Sequence, residues 1–344
     1  MKFLSIRHAV PSRVLTNDEV ISRVLSLVAD TMPSSDSHLV KPTVVEFIER
    51  AGTSTRHLLA PGETAADVLR SAIDGALGAA NVGAEDLDFI IYAGVHRGWL
   101  EPSMAAFVQR EIGATAASCF DVSEACASWM RAVQIAQAFL SSKTYRTGLI
   151  VNCECASEHL VPTELKSLED LRRALAVSTI GEAATATVVT SDLDSDVYVV
   201  LRSFGKHLDL CMIPFENAGS FLTSFDATKS EPNKFYSQSD KLFQVTINHL
   251  WDVYNDDLVL TGRRHDLYFP HAASAKAGFI ARKRLGISAA QWRCTHAKYG
   301  NTVAASVPLG MSVAIDDGVL SRGSKLLAIV GSAGVSVGFL SFTF

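Results

Sequence analysis

Apolar positions along the chain alternate between two kinds of run. Short stretches rich in Val, Ile and aromatics at 87–95 ("LDFIIYAGV"), 147–155 ("TGLIVNCEC"), 184–193 ("ATATVVTSDL") and 196–204 ("DVYVVLRSF") predict strands. Segments with helical spacing lie between several of them, so the pattern predicts an α/β fold. The same order then returns at 265–273 ("HDLYFPHAA"), a helical 274–287, a small-residue helix within 300–315, and strands at 325–334 and 338–344. The chain reads as two echoing halves, 1–195 and 196–344. "DFIIYAGV" precedes Cys126 by about the distance that "DLYFPHAA" precedes Asn301, and each marked residue is expected to open a helix. If the halves pack about a pseudo-twofold axis, these helices and the loops carrying Cys126, His271 and Asn301 converge. A polar run around 216–245 is expected to be a long loop or cap. An insertion at 157–184 is expected to hold a helix at 164–175.

Composition narrows the partners. With 344 residues, 48% hydrophobic and 19% charged, the chain has enough apolar material for a large core. Net charge is −5 and the longest basic run is Arg282 to Arg284, which argues against nucleic acid or anionic membrane as a partner. No stretch approaches the roughly 20 apolar residues of a membrane span. Arg7 and His8 interrupt the first apolar run, unlike a signal peptide. The expectation is a soluble, cytoplasmic protein acting on a small molecule or a protein. Six cysteines stand at 119, 126, 153, 155, 211 and 294 without a CxxC pair, so neither a disulfide framework nor a metal site is expected.

Four places carry residue types suited to chemistry. Cys126, in "FDVSEACASW", stands between two alanines where a strand run gives way to a helical one. A helix amino end stabilises a thiolate and is expected to lower the thiol pKa, although from this stretch alone a buried cysteine that only packs is the favoured reading. His271 ends a strand and is placed to exchange a proton, or is simply a turn histidine. Asn301 is either an N-cap or an amide donor for an oxyanion. "VGSAGVSVGF" is a hairpin whose N–H groups at Ala333 and Gly334 are available to an oxyanion.

Taken in order, "VLTNDEV", "GTSTRHLLAPGETAADV", "FDVSEACASW", "TIGEAATATVV", "PHAASAK", "YGNTVAASVPL" and "GSAGVSVG" span nearly the whole chain. In this series the sequence resembles the β-ketoacyl synthase III enzymes of the thiolase superfamily. The resemblance implies an αβαβα layered fold, usually homodimeric, and a Cys-His-Asn site. It implies that Cys126 is acylated by a thioester and that His271 and Asn301 hold the carbonyl oxygen of a second thioester as its enolate forms. The N–H groups of Cys126, Ala333 and Gly334 would receive the first oxyanion. Substrates would be thioesters of coenzyme A or of an acyl carrier protein, with no cofactor or metal.

The sequence departs from the common pattern in several places. Where members often show His-Gln-Ala-Asn this chain has His271-Ala272-Ala273-Ser274, and Gly181-Glu182-Ala183-Ala184 replaces Gly-Asp-Gly-Ala. Phe47 is the aromatic nearest to the place of a usual adenine-stacking tryptophan. Glu101 before Pro102 resembles the olefin-pathway thiolases, in which such a glutamate lies in the partner's active site. There it would act as base for condensation without decarboxylation, unless it is a solvated loop residue. Trp99 and Leu100 would line the acyl channel, and Lys276 would contact the substrate. These departures point to specialised lipid or secondary metabolism, with acyl transfer to an oxygen or nitrogen acceptor as the alternative.

Overall fold

The computed structural model describes residues 1–163, 165–221, 231–271 and 273–344. Two sheets dominate. The first has the strand order Lys2–Ala9, Ala183–Thr190, Thr147–Glu154, Phe89–Ala93 and Ser118–Val122, and the second Leu267–Pro270, Lys325–Ser332, Ser336–Thr343 and Tyr198–Ser203. Both follow one plan. Phe89–Ala93 runs parallel to Thr147–Glu154, which pairs antiparallel with the next strand; Leu267–Pro270 stands in the same relation to Lys325–Ser332. The paired strands start 58 residues apart in each half (147 minus 89, and 325 minus 267). A fifth strand is present only in the first sheet, and a single parallel bridge from Tyr268 to Trp292 takes its place in the second.

Side-chain alternation along the strands builds the layers. Phe89, Ile91 and Ala93 face one core while Ile90 and Tyr92 face another. In the second sheet Leu326, Ala328 and Val330 join the first of these cores, and Leu327 and Ile329 turn to the far side. Between the sheets lie the helices Ser128–Ser141 and Ser306–Asp316, contributing Trp129, Met130 and Val133, and Val307 and Met311, to that shared core. Helices Ala65–Ala80 and Met104–Ile112 cover the outer face of the first sheet, and Ser239–Asp256 that of the second. The expected α-β-α-β-α layering is therefore present, with the two small-residue helices meeting at its centre.

Helices Asn17–Val28, Ser34–Ala51 and Leu168–Ala174 share a separate core through Val20, Val44, Ile48 and Leu171. The helical part of the insertion lies within 164–175 as expected; Glu164 is outside the described residues. The loop expected around 216–245 is shorter than that. Residues 222–230 lie outside the described residues, but Ser239–Asp256 is helical. Phe243, Ile247, Leu250 and Tyr254 recur every three or four positions there, and this stripe outweighs the polar composition.

Candidate active site

Cys126 sits in a tight turn between the strand Ser118–Val122 and the helix Ser128–Ser141. Ala125 has φ +46°, a conformation that costs a non-glycine residue energy and that a surrounding hydrogen-bond net must hold. The Ser128 hydroxyl donates to the Ala125 carbonyl at 2.7 Å and accepts from Glu124 N–H at 2.8 Å. From the other half of the molecule, Ser332 Oγ accepts from Ala127 N–H at 3.3 Å and donates to the Glu124 carbonyl at 3.0 Å. The Cys126 loop is thus pinned by the second sheet.

His271 follows the strand Leu267–Pro270 and is anchored by its N–H on the Ile329 carbonyl at 2.7 Å. Its Nε2 lies 3.2 Å from Asn301 Oδ1. That oxygen also accepts from Val303 N–H at 3.0 Å, which fixes the amide's orientation and leaves Nδ2 as its donor end. Val303 has φ +49°, rare for a β-branched residue, so each half stores backbone strain beside its candidate residue, Cys126 or Asn301. Asn301 does not cap the following helix with its side chain. Its backbone instead bridges the segment before Gly181: Asn301 N–H donates to Thr179 and Gly181 N–H to the Asn301 carbonyl, at 2.8 and 3.1 Å.

This crossing needs glycine on both sides. A Cβ on Gly181 would stand 1.9 Å from the Tyr299 carbonyl oxygen, and one on Gly300 2.5 Å from that of Thr179. Gly181→Ala is expected to push the Asn301 segment aside, costing about 1–3 kcal/mol of stability, read as a lowered thermal midpoint together with lost turnover. The neighbouring Glu182, which departs from the common pattern, is a buried anchor. It accepts from the N–H groups of Leu59, Ala156 and Ser157 and from the Ser157 hydroxyl at 2.7–3.0 Å.

Cys126, His271, Asn301 and Ala333 line one cavity of about 660 Å³, with Gly334 next in the turn. Its walls are largely apolar and include Leu160, Phe235, Phe243, Ile247 and Ile280. Phe47 and Lys276 line it as well, Lys276 being one of the expected substrate contacts. Trp99, Leu100 and Glu101 do not line it; they stand exposed on a loop outside this chain's own cavity. Among the described residues, no helix is long and apolar enough to cross a membrane.

The electrostatics correct one expectation. Burial pushes the Cys126 thiol up, reinforced by Cys211 and Glu154, and the opposing pull of its own backbone N–H is smaller. The helix start therefore does not yield a free thiolate, because a dry cavity penalises the anion more than one aligned N–H favours it. Burial lowers His271 to about 4 against the opposing Asn301 and Gly331 contacts, so its imidazole is neutral at physiological pH. Nothing in the sequence reading singled out His96, Glu154, Cys211 or Ser332. Glu154 had a visible signal: a carboxylate ending the apolar run "GLIVNCEC" is a buried charge that demands partners.

A layered scaffold that joins a cysteine from one half to a histidine–asparagine pair from the other, in a largely apolar cavity, defines a thiolase-like fold built for thioesters. Two family models match the chain: 3-oxoacyl-[acyl-carrier-protein] synthase III over residues 120–205 and its C-terminal domain over 259–344, together half of the sequence. The chain belongs to the 3-oxoacyl-[acyl-carrier-protein] synthase III family. It is 27% identical over 316 residues to the β-ketoacyl-[acyl-carrier-protein] synthase III of Pseudoalteromonas atlantica, covering 90% of this chain and 94% of that protein. With the enzyme of that name from Xylella fastidiosa it shares 28% over 322 residues, 92% and 90% of the two chains. Among solved structures it is similar to a cysteine-to-serine variant of Xanthomonas campestris OleA with bound lauric acid and lauroyl-CoA. The TM-score is 0.84 at 22% identity, covering 99% of this chain and 98% of that one. The 3-oxoacyl-[acyl-carrier-protein] synthase III of Aquifex aeolicus gives 0.81 at 24%, covering 100% and 99%.

Proposed function

We propose that the protein is a transferase of the condensing type: Cys126 accepts an acyl group from a thioester, and a second thioester then forms a C–C bond to it, giving a 3-oxoacyl product. The observation that carries this reading is the meeting of Cys126 with the His271–Asn301 pair in one largely apolar cavity. A thiol exchanges with a thioester at little cost, and the resulting acyl-enzyme holds the electrophile in place. The neutral imidazole and the Asn301 amide are fixed donors for the enolate oxygen of the second substrate, with no reorganisation needed as charge develops. Cys126 and Ala333 N–H groups, with Gly334, receive the first oxyanion. An acyl transfer to oxygen or nitrogen would have little use for a paired enolate clamp, which disfavours that alternative.

Carrier, chain length and pathway are further parts of the proposal. The substrates are thioesters of an acyl carrier protein, which the names of the family's synthases carry, or of coenzyme A, and no cofactor takes part. The cavity's apolar walls suit an extended acyl chain, in keeping with the lauroyl-CoA held by the structurally similar OleA. Trp99 and Leu100, 40% and 71% exposed, offer apolar surface beside Glu101 that a second copy would cover. In that homodimer the loop enters the partner's cavity and Glu101 serves as base for a condensation without decarboxylation.

Carboxyl-labelled malonyl-CoA tests the route: label released as carbon dioxide with product formed marks the decarboxylative reaction. If Glu101 is the base, Glu101→Gln leaves acylation of Cys126 intact and lowers non-decarboxylative condensation by about 10²-fold or more. Unchanged turnover in that variant would remove Glu101 from the mechanism.

A further inference from the structure

The cavity holds a second histidine that the clamp does not use. His96 is 7% exposed and lies in the loop leaving Phe89–Ala93, and it lines the cavity together with Ser123, Ala125 and Cys126. Topology explains the neighbourhood. Ala93 pairs with Val122 in parallel register, so the loops at 94–96 and 123–126 leave adjacent strands at the same end of the sheet. Glu154 ends the strand on the other side, Thr147–Glu154, and is fully buried. One carboxylate oxygen accepts from Val95 N–H at 3.1 Å; the other accepts from His96 N–H at 3.2 Å and lies 2.6 Å from His96 Nδ1. Gly94 makes room for it, since a Cβ there would stand 2.8 Å from Glu154 Oε1. A carboxylate accepts only, so Nδ1 carries the proton and the opposite nitrogen, Nε2, is the acceptor. Nε2 is buried and, among the described residues, has no hydrogen-bond partner.

Cys126 needs an acceptor of this kind. Its thiol is held protonated by burial, and His271 is already engaged by Asn301 Oδ1 and the Gly331 backbone. We propose that His96 is the catalytic base for the Cys126 thiol and that Glu154 is its positioning residue. As Sγ bonds to the thioester carbonyl carbon, its proton passes to His96 Nε2. When the carbon–sulfur bond to the carrier breaks, that proton leaves with the carrier's sulfur as a thiol and His96 returns to neutral. Glu154 sets the tautomer and stabilises the transient imidazolium, a division of labour seen wherever a carboxylate orients a histidine base. The inference rests on Cys126 being the nucleophile and not on the identity of its acyl group.

Iodoacetamide, a neutral alkylating probe, tests this without a substrate. The other titratable groups near His96 are Tyr92, whose hydroxyl donates to the His96 carbonyl at 2.5 Å, and the adjoining Arg97, 3.8 Å from Asp121; the thiols of Cys126 and Cys211 line the same cavity. Peptide-level mass spectrometry separates Cys126 from Cys211. His96→Asn is expected to slow Cys126 alkylation at pH 7 by about 10²-fold and to remove the low-pH limb of its pH–rate profile, at an unchanged melting temperature. Glu154→Gln moves that limb and leaves the thiol reactive; His96→Gln provides a second test if either variant folds poorly. His271→Asn leaves the profile in place. A wild-type profile in both His96 variants, or loss of the limb in His271→Asn instead, overturns the proposal. Failure of every acyl thioester to label a Cys126 that iodoacetamide does label would instead count against the condensing function.

Discussion

Cys126→Ala is expected to take no acyl group from any thioester and to lower turnover by at least about 10³-fold, because removing a covalent nucleophile leaves only binding and oxyanion stabilisation. The measurement is intact-protein mass after incubation with acyl-CoA of graded chain length: the wild type gains one acyl mass and the variant none. The fold should survive, since the turn is held by Ser128, Ser332 and backbone groups and not by the thiol. The same cavity contains Cys211, so the experiment has a real competitor. Burial pushes the Cys211 thiol up to about 12, with Ser237 opposing. An adduct that persists in Cys126→Ala and maps to Cys211 would move the nucleophile to the other wall. The preferred chain length read from the wild type would also measure how far the apolar walls accommodate the acyl tail.

How much of this was legible in the sequence depended on range. Short continuous apolar runs such as "DFIIYAGV" and "KLLAIVGS" announce strands because both faces of each sheet are buried, and the repeated spacing of strands announces the duplication. Cys126, His271 and Asn301 were reachable as candidates from local motif alone, but each admitted a packing explanation until all three were considered together. Non-local terms were out of reach. The elevated thiol follows from burial by residues far away in sequence, and no local reading of a helix start contains that penalty. His96 and Glu154 are 58 residues apart and meet only because their strands are neighbours. The helix Ser239–Asp256 was obscured by its Asp, Asn, Gln and Ser content, although its apolar stripe is regular. Glu101 was noticed by its sequence context, and it stands exposed outside the chain's own cavity.

Asn301→Ala separates the two half-reactions. It is expected to leave Cys126 acylation within a few-fold of wild type and to reduce condensation by about 10²–10³-fold, the usual effect of losing one oxyanion donor. The proposed mechanism makes this distinction because it assigns acylation to the Cys126 turn and the N–H groups beside it, and the enolate to Asn301 from the second half of the molecule. Single-turnover measurements on protein already acylated check this directly: the acyl-enzyme should accumulate and persist when the second thioester is added. His271→Ala should behave alike, and the double variant should lose less than the product of the two, since both donate to one oxygen. The clamp's pH dependence has a definite sign. His271 titrates near 4, below its ordinary 6.5, so it stays neutral throughout pH 6–8 and its titration imposes no loss of condensation until the pH falls towards 4. A condensation rate that instead falls as pH drops through 6.5 would mean that His271 gains its proton near its ordinary value, contrary to its burial. Equal loss of acylation and condensation in Asn301→Ala would mean that the asparagine serves the Cys126 loop through the Thr179–Gly181 crossing and not the enolate.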